Sequence, residues 1–199
     1  MLNRWNACGS VPAIVLGSDG SDGSEFMSEE FLCARCAKHT STCCQDTDIY
    51  VTLGDVRRIT PHSKGQPFTE FRPPAYPVYD QQQEDPFWHQ HVFREDGQRR
   101  VLKHQANKDC FFLGEQGCVL PADARPSICR LYPFDYNADG ILPKLASGCP
   151  VELLRADQSL IIELQMDADH AELMRRRLYV EMTEKDAEQL KFSISHSDE

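Results

Sequence analysis

No run of apolar residues in this chain approaches the roughly 18 that a membrane-spanning helix needs, so an integral helical membrane protein is excluded. Basic residues are also scarce: 21 Lys and Arg against 31 Asp and Glu give a formal charge of -10 and a pI near 5.1. Nucleic acid and anionic lipid both require a basic face, so neither nucleic acid nor membrane is expected as a partner. A glycine-rich loop of the G-x-G-x-x-G kind is missing, and no nucleophile stands beside a recognisable base. The sequence therefore leaves catalysis open and names no catalytic residue. The apolar share, 41% of 199 residues, is low, so the core should be modest and extra staples would help it fold.

Cysteine is what the chain has in excess, with nine in all. Such a count means either disulfides in an oxidising compartment or thiolates on metal in a reducing one. The first residues, M-L-N-R-W-N-A-C-G-S-V-P-A-I-V-L-G-S, carry one Arg and a short apolar run without a small-x-small cleavage site. That is a poor secretory signal, so the protein is expected in the cytoplasm, with metal ligation preferred to a disulfide framework.

Residues 17 to 25, G-S-D-G-S-D-G-S-E, have the composition of a flexible linker, and Met27 follows closely. Three segments are expected: 1–27 as a disordered or added leader containing Cys8, 28–155 as a cysteine-rich metal-binding domain, and 156–199 as helices packed on it with a frayed tail. Thr52 is a candidate cap for a short helix over Val51 to Ile59. Residues 66 to 88 hold five of the 12 prolines and read as a long loop. Two hairpins are expected, one turning at Asp96-Gly97 with His89 and His91 in its first strand, the other around Asp139-Gly140. Their exits lead to Cys110 and Cys149. Beyond Asp157, Gly and Pro disappear, and Leu160, Ile161, Leu164, Leu173, Met174, Leu178 and Met182 recur at helical spacing, with breaks expected near Asp167 and Thr183. The fold class is thus α+β: a small irregular cysteine-rich core with short antiparallel hairpins, then C-terminal helices.

Without Cys8, eight cysteines fall into two blocks: Cys33, Cys36, Cys43 and Cys44, then Cys110, Cys118, Cys129 and Cys149. The C-x2-C of Cys33 and Cys36 has the knuckle spacing by which one tight turn aims two thiolates at one metal. Soft sulfur ligands select Zn2+ or iron, including an iron–sulfur cluster, over magnesium or calcium. All eight are candidate ligands. Adjacent Cys43 and Cys44 do not share one metal easily in an extended chain, so they serve two sites, or one ligates while the other is a buried packing thiol or a redox partner. His39, His89 and His91 are weaker candidates, and the two in the hairpin read better as surface residues. Arg125 and Arg130 bracket Cys129 and are placed to offset thiolate charge or to make ordinary salt bridges. The run Arg175 to Arg177 reads as a solvated helix face.

These motifs carry a resemblance. C-F-F-L-G-E-Q-G-C at Cys110 to Cys118, R-P-S-I-C-R-L-Y-P-F at Arg125 to Phe134, and Cys149-Pro150 resemble the YkgJ-type cysteine-cluster family, described as zinc- or iron-chelating. The segment V-T-L-G-D-V-R-R-I resembles that family's short helix, so the likeness spans about Phe31 to Pro150. Six residues, A-K-H-T-S-T, separate Cys36 from Cys43 where the family has two, without its Gly after Cys36. A longer loop can still close on metal, because closure entropy grows slowly with length. The resemblance implies a metal-binding protein with a metal ion as ligand. Two alternatives stay open: an enzyme, since flagellin lysine methylases carry a similar block and an iron–sulfur redox step needs the same ligands; and an adaptor for a protein partner, stapled by zinc, with Phe68 to Trp88 as its contact surface.

Overall fold

The computed structural model describes residues 32, 35–36, 43–75, 85–115, 117–145, 149 and 151–184. Residues 1–27, expected as a leader with Cys8 in it, lie outside these residues, as do His39 and the residues beyond 184. Along the chain run α1 (Cys43–Asp46), α2 (Leu53–Ile59), β1 (Thr69–Arg72), α3 (Pro86–Val92), β2 (Arg99–Leu102), β3 (Leu113–Gly114), β4 (Gly117–Cys118), α4 (Ser127–Leu131), β5 (Phe134–Tyr136), β6 (Ile141–Leu145), α5 (Leu160–Glu163) and α6 (Ala168–Met182). The fold is α+β, with three two-stranded antiparallel ladders, β1–β2, β3–β4 and β5–β6.

Local chemistry explains where these elements begin. Thr52 caps α2 through a capping box: its hydroxyl accepts from Asp55 N–H at 2.9 Å, and Asp55 accepts from Thr52 N–H at 3.1 Å. Asp167 caps α6, accepting from Asp169 N–H at 2.9 Å, and Ser159 caps α5. The turn between β5 and β6 is held by Asn137, whose side-chain oxygen accepts from Asp139 N–H (2.9 Å) and Gly140 N–H (3.1 Å). The second expected hairpin is therefore present.

The first expected hairpin is not. Pro86–Val92, which includes His89 and His91, is the helix α3 rather than a strand. Asp85 caps it, accepting from Trp88 N–H at 3.1 Å, and Pro86 presets the first helical φ. Trp88 and Val92 then fall one turn apart and both are buried. The Asp96-Gly97 turn does form, with Gly97 at φ +73°, but it joins a helix to β2. β2 pairs instead with β1, Thr69 opposite Leu102 and Arg72 opposite Arg99, so a strand lies inside the stretch expected to be loop. On its other edge β2 is bonded to the chain around Tyr50, through Val51 N–H to Arg100 O (3.1 Å) and Leu102 N–H to Ile49 O (2.8 Å).

One core cluster gathers Val51, Ile59, Val92, Leu102, Phe112, Leu131 and Leu178. A smaller one joins Leu32, Tyr132, Leu160 and Leu164. α6 lies against α2, α3, α4 and the β5–β6 hairpin. Ala171, Leu178 and Met182 point inward, whereas Leu173, expected on the apolar stripe, is 59% exposed. Arg175 is the buried member of the arginine run: it donates to Ala138 O at 2.7 Å and to Asn137 O at 3.2 Å, so it braces the hairpin turn. Thr183 ends α6, and any helix that its capping pattern starts lies outside the described residues. None of the described helices is long and apolar enough to cross a membrane.

Candidate metal centre

Four cysteines reach one region of the larger core from four segments. Cys44 is buried on α1; Cys110 is buried just beyond β2; Cys118 ends β4; Cys129 sits mid-helix on α4. Backbone bonds fix their approach. Cys110 N–H donates to Cys44 O at 2.6 Å, and the β3–β4 ladder pairs Leu113 with Cys118, while Leu113 N–H returns to Cys110 O at 2.9 Å. The grouping cuts across the two sequence blocks, taking one thiol from the first and three from the second. Cys36, Cys44, Cys110, Cys118, Cys129 and Cys149 are all thiols rather than disulfides.

The thiols feel one another. Burial, with negative charge on Cys44 and Cys118 adding to it, pushes the Cys110 thiol up to about 12. Burial likewise lifts Cys129 well above the ordinary thiol range, with Cys44, Cys110 and Cys118 adding to the effect. Neighbouring thiolates in an apolar surround repel each other, and a cation among them reverses the sign of that cost. Among the described residues no three His, Cys, Asp or Glu side chains converge tightly enough to hold a metal. The donor set thus fits a thiophilic metal by its chemistry and neighbourhood, rather than as a closed polyhedron.

Cys149 lies in the smaller cluster, where the Tyr132 hydroxyl donates to its sulfur at 2.9 Å. Leu32, the neighbour of Cys33, packs in the same cluster, and Arg35 anchors that turn by a 2.8 Å bond to Glu163 of α5. Cys33 and the side chain of Cys43 lie outside the described residues. His89 stacks on Phe93 and His91 on Phe87; two positions apart on a helix, they do not share a face. Arg125 donates to Leu120 O at 3.1 Å and Arg130 to Asp123 O at 3.4 Å, so both brace the loop that leads into α4.

Behind Cys129 stands a buried polar clasp that the sequence motifs do not announce. Asp55, fully buried, accepts at one carboxylate oxygen from Ser127 N–H (2.9 Å), the Ser127 hydroxyl (2.9 Å) and Arg58 (2.5 Å). Pro126 precedes α4 and supplies no cap of its own, so Asp55 serves the N-terminal N–H group of the helix that carries Cys129. Arg58 continues to Glu181 of α6 at 2.6 Å, and Glu181 also accepts from Thr52 (2.5 Å) and Arg177 (2.8 Å). The Glu181 carboxyl lies over Gly54, where an added Cβ would come within 2.1 Å of it. The only sequence signal for the clasp is the T-x-x-D capping pattern at Thr52 and Asp55; its link to Ser127 is long-range.

Residues 32–150 match the family described as "Putative zinc- or iron-chelating domain". The chain belongs to the CxxCxxCC family. The match covers all eight candidate cysteines and agrees with the YkgJ-type resemblance of their motifs. As a CxxCxxCC protein, the chain carries a cysteine domain whose family description is chelation of zinc or iron. No curated protein and no solved structure matches it significantly.

Proposed function

We propose that this CxxCxxCC protein is a metal-binding module in which Cys44, Cys110, Cys118 and Cys129 form the principal thiolate set. The observation that carries this reading is that those four cysteines, from separate segments, belong to or pack against one core cluster, with Cys110 N–H bonded to Cys44 O at 2.6 Å. Cys33, Cys36, Cys43 and Cys149 make up the remaining set, supported by the packing of Leu32 and Cys149 in one cluster. Zn2+ or iron bound by these residues supplies positive charge that offsets the thiolates and a cross-link between distant segments. The protein's own part is to hold the sulfurs: the Cys110 N–H bond to Cys44 O, the β3–β4 ladder and the Asp55 clasp set their positions. The metal is the ligand, whether zinc or an iron–sulfur centre.

Anaerobic purification from cells supplied with both metals, followed by elemental analysis and an ultraviolet-visible spectrum, tests the reading. The expected result is about one zinc for every four thiolates, or about two to four irons where the centre is an iron–sulfur cluster. Cys129→Ala and Cys110→Ala should each lower metal content, while Cys8→Ala leaves it unchanged. Brown protein with acid-labile sulfide identifies an iron–sulfur centre and colourless protein with zinc a structural site. Protein that carries neither metal overturns the proposal.

A further inference from the structure

We propose that a second site, a cleft beside the cysteine segments, binds a small organic anion: a phosphate monoester or carboxylate with a flat or apolar body. The cleft has a volume of about 670 Å³, within the range of small-molecule sites. The turn after α2 forms one side with His62, Ser63 and Lys64, and the chain leaving β2 contributes Lys103 and His104. No Asp or Glu lines it, in a protein whose acidic residues outnumber its basic ones by 31 to 21. Among the described residues neither lysine makes an ion pair, so two cations face the same space with their charge unspent. Cations on a concave surface concentrate anions there even when net charge is negative.

The cleft also has an apolar part, which is held in place. Phe111 and Phe112 follow Cys110 directly and meet edge to face at 4.9 Å, and Phe68 backs Phe112 at 5.6 Å. Gln105 ties this turn down, its amide donating to Cys110 O (3.0 Å) and Leu113 O (2.8 Å), while Phe111 N–H bonds to Lys103 O at 2.9 Å. Lys103 and the aromatic wall therefore keep a fixed spacing. Val119, 68% exposed, is otherwise an unexplained apolar surface residue; at the rim of the cleft it extends the wall. His104, which also lines the cleft, meets Arg72 at 3.3 Å. Lysine charge and aromatic side chains lining one cleft favour an anion with an organic body over a bare ion.

This inference does not depend on the metal reading, and its test separates the two. The full-length protein, with its metal content measured, is titrated calorimetrically at low salt with phenyl phosphate, benzoate and inorganic phosphate. Phenyl phosphate or benzoate should bind saturably with a dissociation constant of about 1 mM or tighter, and whichever binds better names the head group. Inorganic phosphate should be weaker by roughly tenfold, a difference that Phe111→Leu should erase. The double variant Lys64→Gln/Lys103→Gln should weaken binding by roughly tenfold or more, with metal content and melting temperature unchanged. Lys144→Gln, on β6, should bind like the parent. Absence of saturable binding for all three probes, or affinity indifferent to loss of both lysines, would overturn the proposal.

Discussion

Asp55 shows how much one buried carboxylate can organise. Burial pushes its carboxyl up from the ordinary range, while Arg58 and the N–H groups of Thr52 and Ser127 pull it back. Its partners lead to three different helices, since Thr52 starts α2, Ser127 starts α4, and Arg58 reaches α6 through Glu181. Removing the carboxylate takes one of two carboxylate partners from the Arg58 guanidinium, which keeps Glu181, and leaves the buried N–H groups of Thr52 and Ser127 without their acceptor. Asp55→Ala is therefore expected to cost about 2–5 kcal/mol in urea unfolding, because each buried N–H left without an acceptor costs about 1–3 kcal/mol. Asp55→Asn, which keeps one acceptor oxygen, should cost less. A loss below about 1 kcal/mol for the alanine variant would mean that the clasp is not a stabilising unit. Because Cys129 rides on the helix that Asp55 caps, Asp55→Ala should also retain less metal in the elemental analysis.

At the scale of elements, α6 is held to α2 by Glu181. Burial would raise its carboxyl, but hydrogen bonds from Arg58, Thr52 and Arg177 outweigh that and hold it down at about 2. A depressed carboxyl contributes stability above its unfolded value of about 4.5, and that contribution is lost as pH falls toward 2. Between these limits the melting temperature should decline, and Glu181→Gln should flatten this decline while lowering stability at neutral pH. An unchanged acid limb in the variant would remove Glu181 from the account. The capped elements are legible in sequence: Thr52 before α2, Asp167 before α6, and the Asn137 to Gly140 turn are short-range chemistry. The β1–β2 pairing is not, because its partners lie far apart and Pro-rich sequence hides β1. α3 is disguised because alternating residues around His89 and His91 imitate a strand, although Asp85 and Pro86 carry the helix signal. For the site, the candidate ligands are readable from cysteine spacing, but the grouping of Cys44 with Cys110, Cys118 and Cys129 arises only from tertiary packing.

Across the whole molecule, the two core clusters meet at Cys129, which packs against both. On the proposed reading metal cross-links segments of a chain with a modest apolar share, so a strong thiophilic chelator should lower the melting temperature by about ten degrees or more, on the order expected for losing a few kcal/mol. Re-adding zinc or iron under reducing conditions should restore it; a chelated protein that melts where the metal-loaded one does would deny metal any structural part. The backbone bond from Cys110 to Cys44 has a further consequence, for the order of events at the ribosome. A knuckle of adjacent cysteines can close as soon as it emerges, whereas this group is incomplete until α4 has been synthesised, with long stretches of chain looped between its members. Until then Cys44 waits as an unprotected thiol on a growing chain, open to oxidation and to mispairing. Yield of the protein should therefore rise with the reducing state of the cell during synthesis.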